Sequence, residues 1–168
     1  NNIKETSGES TLTEKSKPDT YIQRVVLNGV NEIEPYTFKN CTSLTEASII
    51  GPIYIDDYAF DGLDDDESVQ FESGVPTTMQ LQTVTLGTNL TDTGKRPFRG
   101  CEKLTAVNCL DSDFAYNNGI IYRNTGSGTE IVECLESRGA VGGIGSYSVG
   151  PDELAGVTTI KEEAFADC

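Results

Sequence analysis

Apolar residues recur along the chain at fixed distances from a repeated phenylalanine, and polar residues fill most positions between them. The aligned phenylalanines are Phe38, Phe60, Phe98 and Phe165. An isoleucine lies five residues before three of them, and a cysteine lies three residues after three of them. Phe38 and Phe60 are 22 residues apart, which gives the length of the repeat. Self-similarity at such a period predicts a stack of similar units.

Each repeat combines a segment in which apolar and polar residues alternate with a segment in which apolar residues lie three positions apart. In a V-x-L segment such as Val25 to Leu27, two apolar side chains one position apart face the same side of a strand. In the A-F-x-x-C segment, the spacing is that of a helical turn, so the Phe and the Cys share one side. The pattern predicts parallel strands stacked along one face, short helical turns, and four phenylalanines in a single spine.

The consensus V-x-x-I-x-x-x-A-F-x-x-C-x-x-L-x-x-V-x-L resembles the BspA-like leucine-rich repeats of bacterial cell-surface proteins. The residues that carry the likeness are 33–38 with Cys41, 55–60, 98–101 and 160–168. The resemblance covers about 21–168. It implies a leucine-rich-repeat solenoid, β-rich with short helical turns, in a secreted or surface-bound bacterial protein that mediates adhesion.

Several segments depart from the simple array. Residues 72–78 are rich in Ser, Gly, Pro and Thr and precede a strand motif at 81–86 without an A-F arm of its own, so we expect an insertion near 72–80. Two β-rich runs flank the connector 123–129, which predicts a β-hairpin insertion near 114–139. The polar residues 1–20 favour a flexible linker or cap before a repeat domain at 21–168. The pattern stops within a repeat, from which we expect the natural protein to continue.

The strand residues that face away from the core form the candidate contact surface, because repeat proteins commonly use an extended sheet face for recognition. With the second copy's strand assigned to 69–71, the predicted ligand-binding residues are Glu46, Ser48, Ser68, Gln70, Thr83, Thr85 and Asn108. Arg24, Val26 and Ala106 are expected to share this face. The result is a mostly small, polar ladder, and a soluble sheet face without any ligand would show the same pattern.

The formal net charge of −15, from 12 Lys and Arg against 27 Asp and Glu, argues against binding to nucleic acid or to anionic membranes. No apolar run approaches the roughly 18 residues of a membrane-spanning helix. We therefore expect no nucleic-acid partner and no membrane insertion within this segment.

Candidate chemistry is sparse. Histidine is absent, which removes the commonest general base and metal ligand. There is no phosphate-binding glycine loop and no C-x-x-C pair, so we predict no catalytic residue, no metal site and no cofactor. The acidic segment 56–67 is the best cation candidate, and a solvated acidic turn is the alternative.

The five cysteines are an odd number. Cys41, Cys101 and Cys168 occupy the repeated core position, which favours buried thiols over a disulfide framework. The sequence leaves open whether Cys109 and Cys134 pair.

These observations predict a non-catalytic cell-surface interaction or adhesion module whose partner is a protein or glycan on a host or neighbouring cell. A structural spacer or stalk without a ligand is the alternative, and a secreted enzyme is a third, weaker hypothesis. The sequence does not identify the ligand.

Overall fold

The computed structural model describes residues 21–51, 53–62, 76–137, 151 and 154–166. The linker or cap predicted at 1–20 lies outside the described residues. The described part contains eleven strands, which we number in chain order. They are β1 (Arg24–Asn28), β2 (Glu32–Ile33), β3 (Glu46–Ile50), β4 (Tyr54–Ile55), β5 (Thr83–Leu86), β6 (Asp92–Thr93), β7 (Ala106–Cys109), β8 (Phe114–Asn117), β9 (Ile120–Asn124), β10 (Thr129–Cys134) and β11 (Val157–Ile160).

The V-x-L segments form a four-stranded parallel sheet in the order β1-β3-β5-β7, which we call the long sheet. Its inward positions are apolar and buried, as the alternation predicts. One inward row consists of Val25, Ala47, Val84 and Val107, which are aligned by the strand register. Parallel in-register pairing of successive repeats is the geometry of a leucine-rich-repeat solenoid, so the predicted fold class is confirmed.

A second parallel sheet, the short sheet, has the order β2-β4-β6 and consists of two-residue strands. Its buried residues are Ile33, Ile55 and Thr93, which occupy the repeat position five residues before each Phe. The sequence pattern located these core positions without indicating that they pair as strands.

The A-F-x-x-C segments form tight turns that stack the phenylalanine rings. Cys41 N–H donates to the Phe38 carbonyl, and Cys101 N–H donates to the Phe98 carbonyl, each at 3.1 Å. The ring centroids of Phe38 and Phe60 are 4.7 Å apart, and those of Phe60 and Phe98 are 5.4 Å apart. A main-chain bond accompanies each step, since the N–H of one Phe donates to the carbonyl just before the next Phe: Phe38 to Ala59 and Phe60 to Pro97, both at 2.8 Å.

The strand that follows Phe60 is β5, and this corrects the assignment of the second copy's strand to 69–71. In two copies, the first inward-facing residue of the strand lies nine residues after the Phe. In the copy of Phe60, the corresponding residue is Val84, which lies 24 residues after the Phe. β3 and β5 are hydrogen-bonded neighbours, so no further strand lies between them. The A-F arm of β5 is therefore the one containing Phe60, and the arm containing Phe98 precedes β7. The extra chain therefore lies between Gly62 and Leu81, and its residues 63–75 lie outside the described part of the chain.

The predicted hairpin is present, and it belongs to a four-stranded sheet in the order β11-β10-β9-β8. β8, β9 and β10 pair antiparallel, whereas β10 and β11 pair parallel. β8 was not predicted. β10 is buried on both sides, because Val132 packs into the first hydrophobic cluster, which holds the phenylalanine stack, and Ile131 and Cys134 pack into a second cluster.

At the end of β10, two glutamate side chains accept the main-chain hydrogen bonds that the next repeat turn would otherwise accept. Phe98 N–H donates to a side-chain oxygen of Glu133 at 3.1 Å, where Phe38 and Phe60 donate to main-chain carbonyls. Gly100 N–H donates to Glu136 at 3.0 Å. On the opposite side of β10, Cys134 N–H donates to the Ala164 carbonyl at 2.7 Å. The connection to the next turn is therefore again a bond between main-chain groups.

The hairpin also divides the core, so the expectation of one spine through all four phenylalanines is wrong for Phe165. This residue is only partly buried and packs in the second cluster with Ile120, Tyr122 and Ile131. Phe98 lies on the other side of β10, in the first cluster. The physical reason is that β10 lies between Phe98 and Phe165, so the two rings cannot stack on each other.

Candidate interaction surface

The outward side of the long sheet presents its residues in rows, because the strands pair in parallel register. Inward neighbours such as Ala47 and Val84 are buried, whereas the outward residues are partly or fully exposed. One row consists of Arg24, Glu46, Thr83 and Ala106, and the next consists of Val26, Ser48, Thr85 and Asn108. We call this surface the outer face.

Five of the seven predicted ligand-binding residues lie together on the outer face. They are Glu46, Ser48, Thr83, Thr85 and Asn108. The other two, Ser68 and Gln70, lie outside the described residues. Because β3 and β5 are direct neighbours, Ser48 lies next to Thr85, and the strand predicted at 69–71 does not lie between them.

Charge on the outer face is balanced. Arg24 and Glu46 form an ion pair at 3.2 Å, and their side chains are 63% and 39% exposed. The other residues of the two rows are uncharged. The surface therefore offers hydroxyl and amide groups together with the exposed aliphatic side chain of Val26, in a protein with a formal net charge of −15.

A third row continues the outer face at the carboxyl ends of the strands. Gly87 N–H donates to the Ile49 carbonyl at 2.7 Å, and Leu110 N–H donates to the Leu86 carbonyl at 2.8 Å. Gly87 therefore lies between Ile50 and Leu110, whose side chains are 38% and 63% exposed. Two exposed aliphatic side chains consequently flank a position without a side chain.

The repeat turns carry a second set of aligned side chains, which was not predicted from the sequence. Tyr36 and Tyr58 stack with ring centroids 5.6 Å apart, and the Arg99 guanidinium lies 4.5 Å from the Tyr58 ring centroid. The Tyr58 hydroxyl donates to Glu163 at 2.6 Å. This bond, with burial, raises the pKa of Tyr58 to about 12. The 22-residue separation of the two tyrosines was the available signal.

The acidic segment 56–67 is only partly described, since 63–67 lie outside the described residues. In the described part, Asp61 is fully buried and its carboxylate lies between two cations. Arg99 donates two hydrogen bonds to it, at 2.6 and 2.8 Å, and Lys39 lies 3.5 Å away. Asp57 accepts the Lys95 N–H at 2.7 Å. Within the described ranges, no three Cys, Asp or Glu side chains converge as metal ligands.

The cysteines of the described ranges lie in the core or at its edge. Cys41 and Cys101 are buried in the first cluster, with the Cys101 thiol donating to the Phe60 carbonyl at 3.1 Å. Cys109 packs against the first cluster and Cys134 lies in the second, and no disulfide joins them. Burial, followed by the nearby Asp111 carboxylate, raises the pKa of Cys109 to about 11. Its thiol is therefore protonated at neutral pH.

The parallel long sheet and the stacked turns define a leucine-rich-repeat solenoid. Residues 11–78 and 73–131 match the family model described as BspA type leucine rich repeat region (6 copies), which covers more than half of the chain. The chain belongs to the BspA-type leucine-rich-repeat family, and the resemblance seen in its sequence is confirmed.

A solved structure supports the same fold. The crystal structure of a leucine rich cell surface protein from Faecalibacterium prausnitzii A2-165 superposes with a TM-score of 0.52 at 15% sequence identity. The alignment covers 68% of this chain and 27% of that one, so the chain spans about a quarter of the length of that structure. No curated protein matches the chain significantly. None of the helices in the described ranges is long and apolar enough to cross a membrane.

Proposed function

We propose that this chain is a non-catalytic interaction module of a bacterial cell-surface protein, and that it binds a protein or glycan on a host or neighbouring cell through its outer face. The observation that carries the proposal is the outer face itself. Four in-register strands present two rows of exposed or partly exposed side chains that no described element covers.

The chemistry of the surface supports binding rather than catalysis. Among the described residues, the outer face holds one carboxylate, Glu46, and that carboxylate is already paired with Arg24. General acid-base or nucleophilic catalysis requires converging groups with matched proton affinities. Hydroxyl, amide and aliphatic groups in rows instead provide hydrogen bonds and apolar contacts, as a recognition surface does. A surface location is supported by the family and by the Faecalibacterium structure, which is described as that of a leucine rich cell surface protein.

Binding of the full chain to arrays of matrix proteins and glycans tests the proposal. We expect at least one saturable interaction, and we expect Ser48→Lys or Thr83→Lys to abolish it by placing a long cation in the middle of the outer face. Ser127→Lys, on the exposed turn between β9 and β10, introduces the same charge elsewhere and should bind normally. Absence of saturable binding would favour the alternative, a spacer or stalk without a ligand.

A further inference from the structure

The chain contains two Asn-Gly pairs, Asn28-Gly29 and Asn118-Gly119. The first lies where β1 ends, on the connection to β2, and the second forms the tight turn between β8 and β9. In an Asn-Gly pair, the glycine nitrogen reaches the asparagine side chain more easily than in other pairs, because glycine has no Cβ to shield its nitrogen or restrict its rotation. The same reaction is therefore open to both pairs, and their surroundings decide which of them reacts.

The surroundings of the first pair are open. Asn28 and Gly29 are both exposed. Apart from its chain neighbours, Gly29 has no atom within 4 Å of the position that a Cβ would occupy. Within the described part of the chain, the Gly29 N–H donates no main-chain hydrogen bond, and β1 pairs on one side only, with β3. The Gly29 nitrogen can therefore turn towards the Asn28 side chain at little cost.

The second pair is held by the hairpin. Gly119 is buried, and its carbonyl accepts the Leu135 N–H at 2.8 Å. Strand pairing begins directly on both sides of the turn, where Asn117 pairs with Ile120. The φ angles of 50° at Asn118 and 81° at Gly119 are those of a two-residue hairpin turn with both residues in the left-handed region. The Gly119 nitrogen cannot move without opening the hairpin.

We propose that Asn28 is a site of spontaneous deamidation in the folded protein, whereas Asn118 is protected. The Gly29 nitrogen attacks the side-chain amide carbon of Asn28 and gives up its proton. A C–N bond closes a succinimide ring, and the amide nitrogen leaves as ammonia. Water then opens the ring at one of its two carbonyl carbons, which gives aspartate or isoaspartate. Water is the only co-reactant, and no group is oxidised or reduced.

The reaction changes the edge of the outer face. Asn28 points outward on β1 and pairs in register with Ile50, so it begins the third row of that face. The other members of the row, Ile50, Gly87 and Leu110, are uncharged, and either product adds a carboxylate beside them. Isoaspartate also adds a methylene to the main chain between β1 and β2. The surface therefore acquires charge with time without any enzyme.

Peptide mapping of the full chain by mass spectrometry tests the inference. The folded protein is incubated in water enriched in oxygen-18, and samples are taken as a time series. We expect the peptide that contains Asn28 to gain the mass of an Asn-to-Asp exchange with one heavy oxygen, and to separate into aspartate and isoaspartate forms. The Asn118 peptide should react at least about ten-fold more slowly, because the hairpin must first open locally.

Incubation in urea is the control for the effect of the fold. Once the chain is unfolded, both Asn-Gly pairs should react at similar rates, since only the structure distinguishes their surroundings. If Asn118 reacts as fast as Asn28 in the folded protein, the distinction drawn from the hairpin is wrong. If Asn28 stays intact in the folded protein, whether or not it reacts in urea, the proposal is overturned.

A pair of glycine variants tests the role of the Gly29 nitrogen. Gly29→Ala should slow the reaction at Asn28 about ten-fold, because the new Cβ shields the nitrogen and restricts its rotation. Gly126→Ala is the matched control, since Gly126 has the same φ of +77° and equally open surroundings in the turn between β9 and β10. Both variants carry the same backbone strain, so equal deamidation rates at Asn28 would contradict attack by the Gly29 nitrogen.

Discussion

Phe60 is the central ring of the first cluster. It is fully buried, and it is stacked on both sides, by Phe38 and by Phe98. Phe165 shares its place in the sequence repeat but is only partly buried. The same residue type at the same repeat position therefore has two different environments.

Phe60→Ala should destabilise the protein by about 3–5 kcal/mol, because the substitution removes a fully packed ring and leaves a cavity between two others. Phe165→Ala is the matched control and should cost clearly less, since its ring loses less buried area. The urea midpoints of the two variants measure the difference. Equal shifts would contradict the division of the core by β10.

Glu133 is a buried carboxyl group at the end of the phenylalanine stack. Its side chain is 1% exposed and faces the Phe98 N–H, with Arg96, Glu136 and Cys134 around it. Burial raises its pKa from an ordinary 4.5 to about 8, against the opposing effects of the Phe98 N–H and of Arg96. The neutral acid therefore prevails at neutral pH.

The sign of the resulting pH dependence follows from proton uptake. Between pH 4.5 and about 8, the folded protein retains a proton at Glu133 that the unfolded chain has released. The contribution of Glu133 to stability is therefore complete below pH 4.5, decreases as the pH rises, and is lost above about 8. Glu133→Gln keeps a carbonyl oxygen that can accept the Phe98 N–H and does not ionise.

We expect Glu133→Gln to be more stable than the native protein at pH 9. Between pH 5 and pH 9, its free energy of unfolding should fall by a few kcal/mol less than that of the native protein, since one pKa unit corresponds to about 1.4 kcal/mol. Urea unfolding at a series of pH values measures this. Glu102→Gln, at an exposed glutamate, is the control and should leave the slope unchanged. An unaltered slope in Glu133→Gln would show that Glu133 is ionised in the folded protein.

Among the elements, the repeat turns are joined by charge as well as by aromatic rings. Lys39, Asp61 and Arg99 occupy the position after the Phe in three successive turns and alternate in sign. Asp61 is fully buried, whereas the Lys39 and Arg99 side chains are 24% and 18% exposed. The central carboxylate is therefore the member that connects the three turns.

Asp61→Asn should destabilise the protein by about 3 kcal/mol, because it removes the charge of a fully buried carboxylate that pairs with two partly buried cations. Glu46→Gln breaks the exposed ion pair with Arg24 and should cost less than about 1 kcal/mol. Thermal unfolding of both variants at one pH and ionic strength allows the comparison. A larger loss in Glu46→Gln would contradict the structural role of the Asp61 cluster.

The elements with a long periodic signal were predictable from the sequence, and those without one were not. The long sheet and the turn around Phe60 follow from apolar positions at fixed spacing. The strands of the short sheet have two residues each, too few to show a period of two. The second copy's strand was predicted at the wrong place because residues 69–71 have the same apolar alternation. Only the pairing of β3 with β5 identifies Val84 and Leu86 as the two inward-facing residues of that strand.

The candidate site was predictable in part for the same reason. The outward positions of β3 and β5 follow once the inward ones are known, so Ser48 and Thr85 could be placed from the sequence. The third row could not, because Gly87 and Leu110 lie beyond the V-x-L motif, and their proximity depends on the strand register. Glu133 lacks a sequence signal altogether, since its role is to replace a main-chain carbonyl.

At the scale of the whole molecule, β10 joins two cores of unequal size. The first cluster contains the buried residues of the long sheet, the short sheet and the phenylalanine stack, together with Phe114 and Ile121 from the hairpin. The second contains five buried residues, packed between β9, β10 and the turn at Ala164. β11 forms its outer edge in the described structure and leaves Ile160 53% exposed.

This inequality predicts unfolding in two steps under native conditions. The amide hydrogens of β11 and of the Ala164 turn should exchange through an opening of lower free energy than those of β3 and β5, because less apolar area holds the second cluster together. Hydrogen exchange of the full chain at increasing urea concentrations resolves the two openings. Ile131→Ala, in the second cluster, should lower the free energy of the β11 opening while leaving the protection of β3 close to that of the native protein. If β11 and β3 exchanged at one common free energy, β10 would transmit cooperativity between the clusters and the solenoid would unfold as a single unit.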